Sequence, residues 1–143
     1  MAAPALDVRL ELPERVAAGD PIGGRLTVSN TGEEPASVVS PFGAAVLSLV
    51  VFDRLWNLVQ PAPVAKVHVA EERTELAAGA SLAWELPDLS FVTGTAQMRY
   101  SLAPGTYHVL AVYHPGTERL PERSTYPTVA VSEVVPLEVA EPA

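Results

Sequence analysis

The stretch Leu102–Tyr113, with the sequence LAPGTYHVLAVY, decides how this chain folds. Pro104 and Gly105 predict a tight turn, and Gly105–Tyr113 is the clearest strand in the sequence. The L-x-P-G-x-Y spacing is typical of a tyrosine corner, in which a tyrosine at the start of a late strand of a Greek-key sandwich packs inward. We therefore expect Leu102–Tyr107 to form such a corner, with the ring of Tyr107 buried.

Strand alternation after Tyr107 predicts which side chains face outward. If Tyr107 points into the core, Val109 and Ala111 point inward too. The side chains of opposite parity then face outward: His108, Leu110, Val112 and His114.

The segment Ala45–Asp53 (AVLSLVVFD) is apolar on both of its faces, which is typical of a central strand or an interface. In an immunoglobulin-like strand order it neighbours Gly105–Tyr113, so two more apolar side chains share the outward face. The predicted protein-binding residues on this face are Val50, Phe52, Leu110 and Val112. Such a patch is too apolar to be left in water. The alternative is that Pro87–Gln97 or Pro115–Pro127 folds over it.

The rest of the sequence reads as short strands separated by turns. Leu6–Leu12 and Ser81–Leu86 alternate between apolar and polar residues, with Trp84 expected in the core. Asp53–Asn57 predicts a hairpin, whereas Pro61–Pro63 is expected to interrupt strand pairing. Four further assignments complete the prediction: inward Leu26 and Val28, a short edge strand at Lys66–Val69, and a loop at Pro87–Gln97.

Fold class follows from the spacing of these elements. The chain has 14 prolines and 9 glycines spread along 143 residues, and no window reads as a sustained amphipathic helix. We predict an all-β, immunoglobulin-like Greek-key sandwich of about seven to nine strands, with residues 1–143 as a single domain.

Charge and composition narrow the classes of partner. The formal net charge of −8 disfavours nucleic acid and anionic lipid, and no apolar run is long enough for membrane insertion. The absence of cysteine and of a visible secretory signal predicts a cytoplasmic location.

Two further segments, with the PGTY turn, carry a family resemblance. The opening Val16–Gly32, the strand Val50–Asp53 and that turn together resemble the bacterial intracellular proteinase inhibitor family. The family's usual glycine after the aspartate is absent, since Arg54–Asn57 follow here. The resemblance implies an immunoglobulin-like sandwich and a protruding inhibitory loop, for which the candidate is Pro115–Pro121 with Arg119 and Leu120.

No pattern of residues predicts an enzyme, a metal site or a cofactor. His108 and His114 are separated by roughly 20 Å along an extended strand, and His68 adds no ligand close in sequence. The serines lack a nucleophile-elbow motif, and no phosphate-binding loop is present.

The predicted function is a non-catalytic protein-interaction module that binds another protein or a second copy of itself. The alternative is proteinase inhibition. A third class, carbohydrate binding, has Trp56 and the tyrosines as its only indications.

Overall fold

The computed structural model describes residues 6–42, 46–67, 72–86, 88–93, 95–114 and 129–142. These ranges form strands, turns and loops, and they include no helix that is long and apolar enough to cross a membrane. The strands are β1 (Leu6–Glu11), β2 (Arg15–Ala17), β3 (Gly24–Asn30), β4 (Ala36–Val39), β5 (Leu47–Phe52), β6 (Leu58–Val59), β7 (Ala62–Lys66), β8 (Arg73–Leu76), β9 (Ser81–Leu86), β10 (Ser90–Thr93), β11 (Ala96–Arg99), β12 (Gly105–Tyr113), β13 (Ala130–Val131) and β14 (Val135–Ala140).

Two sheets make the sandwich. One has the antiparallel order β1-β3-β9, and the other has the order β2-β14-β12-β5-β6, with β13 paired to β12. The short β2 runs parallel to the last strand, β14, so the start of the chain contributes to both sheets. This is the strand order of an immunoglobulin-like sandwich, which confirms the predicted fold.

Two smaller sheets, β4-β8 and β10-β11-β7, raise the strand number in the described ranges above the predicted seven to nine. The expectation that Pro87–Gln97 is a loop is wrong, because β10 and the start of β11 lie within it. The expectation that Pro61–Pro63 interrupts pairing is also wrong, because Pro63 pairs with Met98. A proline is tolerated there because β7 is the outermost strand of its sheet. The predicted edge strand at Lys66–Val69 is shifted: β7 ends at Lys66, and residues 68–69 lie outside the described ranges.

The core lies between the two main sheets. Leu26 and Val28 of β3 are fully buried, as predicted, and they belong to the same core cluster as Val109 and Ala111 of β12. Trp84, predicted to lie in the core, is half-buried and packs against its edge.

Buried tyrosines connect the smaller sheets to the core. The Tyr113 hydroxyl donates to the backbone carbonyl of Val39 and accepts from the Val39 N–H at 2.9 Å. The Tyr100 hydroxyl donates to the carbonyl of Leu49 at 2.6 Å. Desolvation raises the pKa of Tyr113 to about 12.

The predicted tyrosine corner is present. The Tyr107 hydroxyl donates to the backbone carbonyl of Ala103 at 2.7 Å, just upstream of the strand. Its ring packs against the core but is half-buried, so the prediction of a buried ring was only partly right. The difference arises because Tyr107 lies near the open end of β12, while the same-face residues Val109, Ala111 and Tyr113 are fully enclosed.

Candidate functional site

The register between β5 and β12 places the sequence-predicted residues on one face. Val50 lies opposite Leu110, and Val112 lies two residues further along β12. Phe52 lies opposite His108. All of these side chains are partly exposed, whereas their inward neighbours on both strands are buried. The predicted outward parity is therefore confirmed, while the binding role of these residues remains a prediction.

The apolar surface extends beyond these two strands. Leu58 of β6 pairs with Phe52, and Val131 of β13 pairs with Val112. Both are more than half exposed. We call the resulting three cross-strand rows the outer apolar face; they are Leu58–Phe52–His108–Pro136, Val50–Leu110 and Ser48–Val112–Val131.

Trp56 lies on the same face. Its indole stacks on the imidazole of His108, with ring centroids 3.9 Å apart and planes inclined by 3°. The Phe52 ring lies beside it, with centroids 5.7 Å apart. Trp56 is 55% exposed. Trp56 therefore forms the prominent end of the outer apolar face.

The hairpin turn that carries Trp56 is organised by Asp53. Its Oδ1 accepts the backbone N–H groups of Leu55 and Asn57, each at 2.9 Å, and its Oδ2 accepts the Asn57 side-chain amide at 3.2 Å. These bonds, chiefly that from the Asn57 backbone, lower the pKa of Asp53. The carboxylate is therefore ionised at neutral pH and holds the turn in place.

The backbone of Trp56 lies in the left-handed region, with φ of 65°. A bulky residue is rare in that region because its Cβ approaches the following carbonyl group. Its N–H donates to the Asp53 carbonyl at 3.0 Å, so the turn enforces the conformation. Strained residues held by their surroundings are concentrated at functional sites.

Sequence reasoning predicted the hairpin but did not place Trp56 on the outer apolar face. The available signal was composition: Leu55, Trp56 and Leu58 are large apolar residues in and beside a turn, where small polar residues are usual. Their exposure, from 55% to 71%, shows that the protein's own described residues leave this end of the face open.

The outward face of the opposite sheet provides a comparison within the molecule. Its cross-strand rows place Arg25 between Glu11 and Glu85, and Ser29 beside Ser81. Arg25 and Glu85 form an ion pair at 2.7 Å, and the two serine hydroxyls are 2.7 Å apart. That face is polar and suited to water, whereas the outer apolar face is not.

Of the two predicted covers, the described structure places only the first. Within Pro87–Gln97, Phe91 packs against the core beside Tyr100, with ring centroids 6.2 Å apart. The other candidate, Pro115–Pro127, lies outside the described residues together with Arg119 and Leu120.

The histidines and tyrosines are the candidates for metal and sugar binding. The ranges that the structure describes contain no group of three or more His, Cys, Asp or Glu residues that could hold a metal ion. His108 stacks on Trp56, and His68 lies outside those ranges. Tyr100 and Tyr113 are buried, so neither forms a sugar-binding platform. Of the other residues named for carbohydrate binding, Trp56 is exposed, Tyr107 is half-buried, and Tyr126 lies outside the described ranges.

Comparison with known proteins identifies no family for this chain: no protein-family model and no curated protein matches it. The resemblance to proteinase inhibitors therefore has no support from these comparisons. Similar solved structures include a CARDB domain from Pyrococcus furiosus in complex with di-metal ions, which is 14% identical with a TM-score of 0.47. The alignment covers 97% of this chain and 96% of that chain.

Two β-glucosidases contain a region similar to this chain, and both enzymes are much longer than it. A β-glucosidase from Listeria innocua is 17% identical with a TM-score of 0.46, and the alignment covers 96% of this chain but 16% of that one. A β-glucosidase from Erythrobacter marinus is 13% identical with a TM-score of 0.42, with 94% and 15% covered. The chain thus spans about one sixth of those enzymes.

Proposed function

We propose that this domain is a non-catalytic protein-interaction module that binds a partner protein through the outer apolar face. The observation that carries the proposal is the exposed indole of Trp56, held by a hydrogen-bonded turn at the end of three largely apolar rows. Aromatic residues are enriched among the side chains that dominate binding energy at protein interfaces.

The contrast between the two sheet faces supports this proposal. A sandwich that needed only solubility would carry polar residues outward on both sheets, as it does around Arg25 and Ser29. The outer apolar face instead exposes Leu58 and Val131 beside half-buried Phe52 and Leu110. Contiguous exposed apolar surface of this kind is typical of interaction sites.

The test is site-specific photocrosslinking in the native cell. A photoreactive phenylalanine analogue at Leu58 is expected to give a discrete crosslinked species that disappears when Leu110→Asp is added. The matched control places the analogue at Ala83, which is exposed on the polar sheet. Identical crosslinks from both positions, or none from Leu58, would refute the use of this face.

Proteinase inhibition is the competing proposal, and it rests on Arg119 and Leu120 outside the described residues. Titration against serine proteases of differing specificity distinguishes the two. Stoichiometric inhibition that is abolished by Arg119→Ala and Leu120→Ala, and unchanged by Leu110→Asp, would favour inhibition.

We further propose a cytoplasmic location for the module.

A further inference from the structure

We infer that the outer apolar face receives a short apolar segment of a partner protein, and that an arginine of that segment stacks on the open face of Trp56. This inference deepens the proposed function and rests on it. It names the chemistry of the partner, which is an apolar sequence interrupted by a cation.

One face of the Trp56 indole is covered by the protein and the other is open. The imidazole of His108 lies parallel to Trp56 at 3.9 Å and covers one face of the ring. Because Trp56 as a whole residue is still 55% exposed, its other face is open. The Asp53 turn fixes the ring direction before any partner arrives, so little conformational freedom is lost on stacking. Trp56 is therefore a preformed platform for a flat group.

The net charge of the chain favours a basic partner. The chain has a formal net charge of −8, which attracts basic partners and repels acidic ones. The rows of the outer apolar face contain no Asp, Glu, Lys or Arg. The adjoining turn contains the ionised Asp53 and one basic residue, Arg54. On the β13–β14 side Glu133 and Glu138 are exposed, and Arg15 of β2 lies opposite Glu138, so three acidic residues border the face against two basic ones. A cation on the partner is thus favoured over an anion.

Arginine is the cationic side chain that best suits stacking on a tryptophan ring. A tryptophan face attracts cations more strongly than the other aromatic rings, and arginine is the commoner partner because its guanidinium is planar and weakly hydrated. Lysine satisfies the charge but not the planar stacking. Arginine is therefore the residue that best matches both the ring and the net charge.

The area of the outer apolar face suits a short segment of a partner chain. The rows cross strands about 4.8 Å apart and follow one another at about 7 Å, so the face measures roughly 15–20 Å in each direction. Stable interfaces between folded proteins bury about 800 Å² on each partner, which is at least twice such an area. Two copies of this chain would also repel each other through their net charges of −8. A short segment fits better than a second copy.

The experiment titrates the intact domain with three synthetic peptides, Ac-LVRVL-NH2, Ac-LVQVL-NH2 and Ac-LVEVL-NH2. The backbone amide resonances of Leu110 and Val112 report binding by NMR in every variant, and the Trp56 indole N–H resonance, identified by its loss in Trp56→Ala, reports contact with the ring. The arginine peptide is expected to bind about fivefold more tightly than the glutamine peptide, with the glutamate peptide weakest. Trp56→Ala should remove the preference of arginine over glutamine, whereas the control Val64→Ala, on β7, should keep it.

The outcomes separate this inference from the proposed function. Equal binding of all three peptides that is lost in Leu110→Asp would overturn the arginine contact and retain the apolar docking face. A concentration-dependent dimer that Leu110→Asp dissociates would make the occupant a second copy and overturn the segment. Perturbation of the Trp56 resonance by cellobiose, with no response to any peptide, would overturn the inference in favour of sugar stacking. Absence of any peptide response at millimolar concentration would also overturn it.

Discussion

Trp56 of the turn between β5 and β6 and His108 of β12 are far apart in sequence, and their rings lie 3.9 Å apart and nearly parallel. The contact forms because the fold brings the backbones of these two residues close together. His108 lies on β12 opposite Phe52, and the Asp53 turn folds Trp56 back over that pair. The contact couples the hairpin to the centre of the sheet and defines one end of the outer apolar face.

The positive φ of Trp56 predicts an unusual order of stability among its variants. Trp56→Gly should be more stable than Trp56→Ala by about 1 kcal/mol, because glycine adopts the left-handed region without steric cost. Chemical denaturation of both variants measures the difference. The reference pair is Leu58→Gly and Leu58→Ala, at a neighbouring strand position, where alanine should be the more stable. The same order at both positions would contradict strain at Trp56.

Asp53 predicts an acid-sensitive turn. Its pKa is lowered in the folded state, chiefly by the hydrogen bond from the Asn57 backbone, so its contribution to stability is present above the unfolded pKa of about 4. That contribution is lost as the pH falls through the folded pKa. Between about pH 5 and pH 2, the wild type should therefore lose more stability than Asp53→Asn, as measured by urea unfolding at each pH. Parallel pH profiles for the two proteins would show that the carboxylate does not hold the turn.

Parity on β12 predicts opposite results at adjacent residues. Leu110→Asp should cost no more than about 1 kcal/mol, because the side chain is already partly in water. Ala111→Asp should prevent folding or cost more than about 4 kcal/mol, because it places a charge in a fully enclosed site. Circular dichroism and thermal unfolding measure both. Unfolding by Leu110→Asp would mean that the outer apolar face is covered by the protein's own chain.

Two tyrosine hydroxyls predict a graded loss of stability. Tyr107→Phe removes a surface hydrogen bond to Ala103 and should cost about 0.5–1 kcal/mol. Tyr113→Phe leaves the buried backbone groups of Val39 without that partner and should cost about 1–3 kcal/mol. Equilibrium unfolding in guanidinium compares them. A larger loss for Tyr107 would show that the corner, and not the core tyrosine, is the stronger connection.

Much of the site was accessible from local pattern. The alternation from Tyr107 to Val112, referenced to the tyrosine corner, predicted which side chains of β12 face outward, because side-chain direction in a strand has a period of two. The neighbouring position of Val50 and Phe52 required one further assumption, the immunoglobulin-like strand order, and the observed register confirms it.

The errors have a common cause. Pro63 and the Pro87–Gln97 segment were assigned by local propensity, which treats proline and mixed polarity as signs of a loop. In the structure, Pro63 and the described strand residues of Pro87–Gln97 pair in the separate sheet β10-β11-β7. The edge position of β7 removes the cost of the N–H that Pro63 lacks. The local pattern of polar and apolar residues in a segment does not encode which distant segment it pairs with.

By itself the sequence determined the all-β fold, the tyrosine corner and the parity of β12, since each depends on spacing between near neighbours. The tertiary structure alone decided that Trp56 stacks on His108 and that Leu58 and Val131 extend the apolar rows across the sheet. Those contacts depend on register between strands and on the course of one turn. Both are set by the packing of the whole sandwich, because a shift of one residue would turn every side chain to the opposite face.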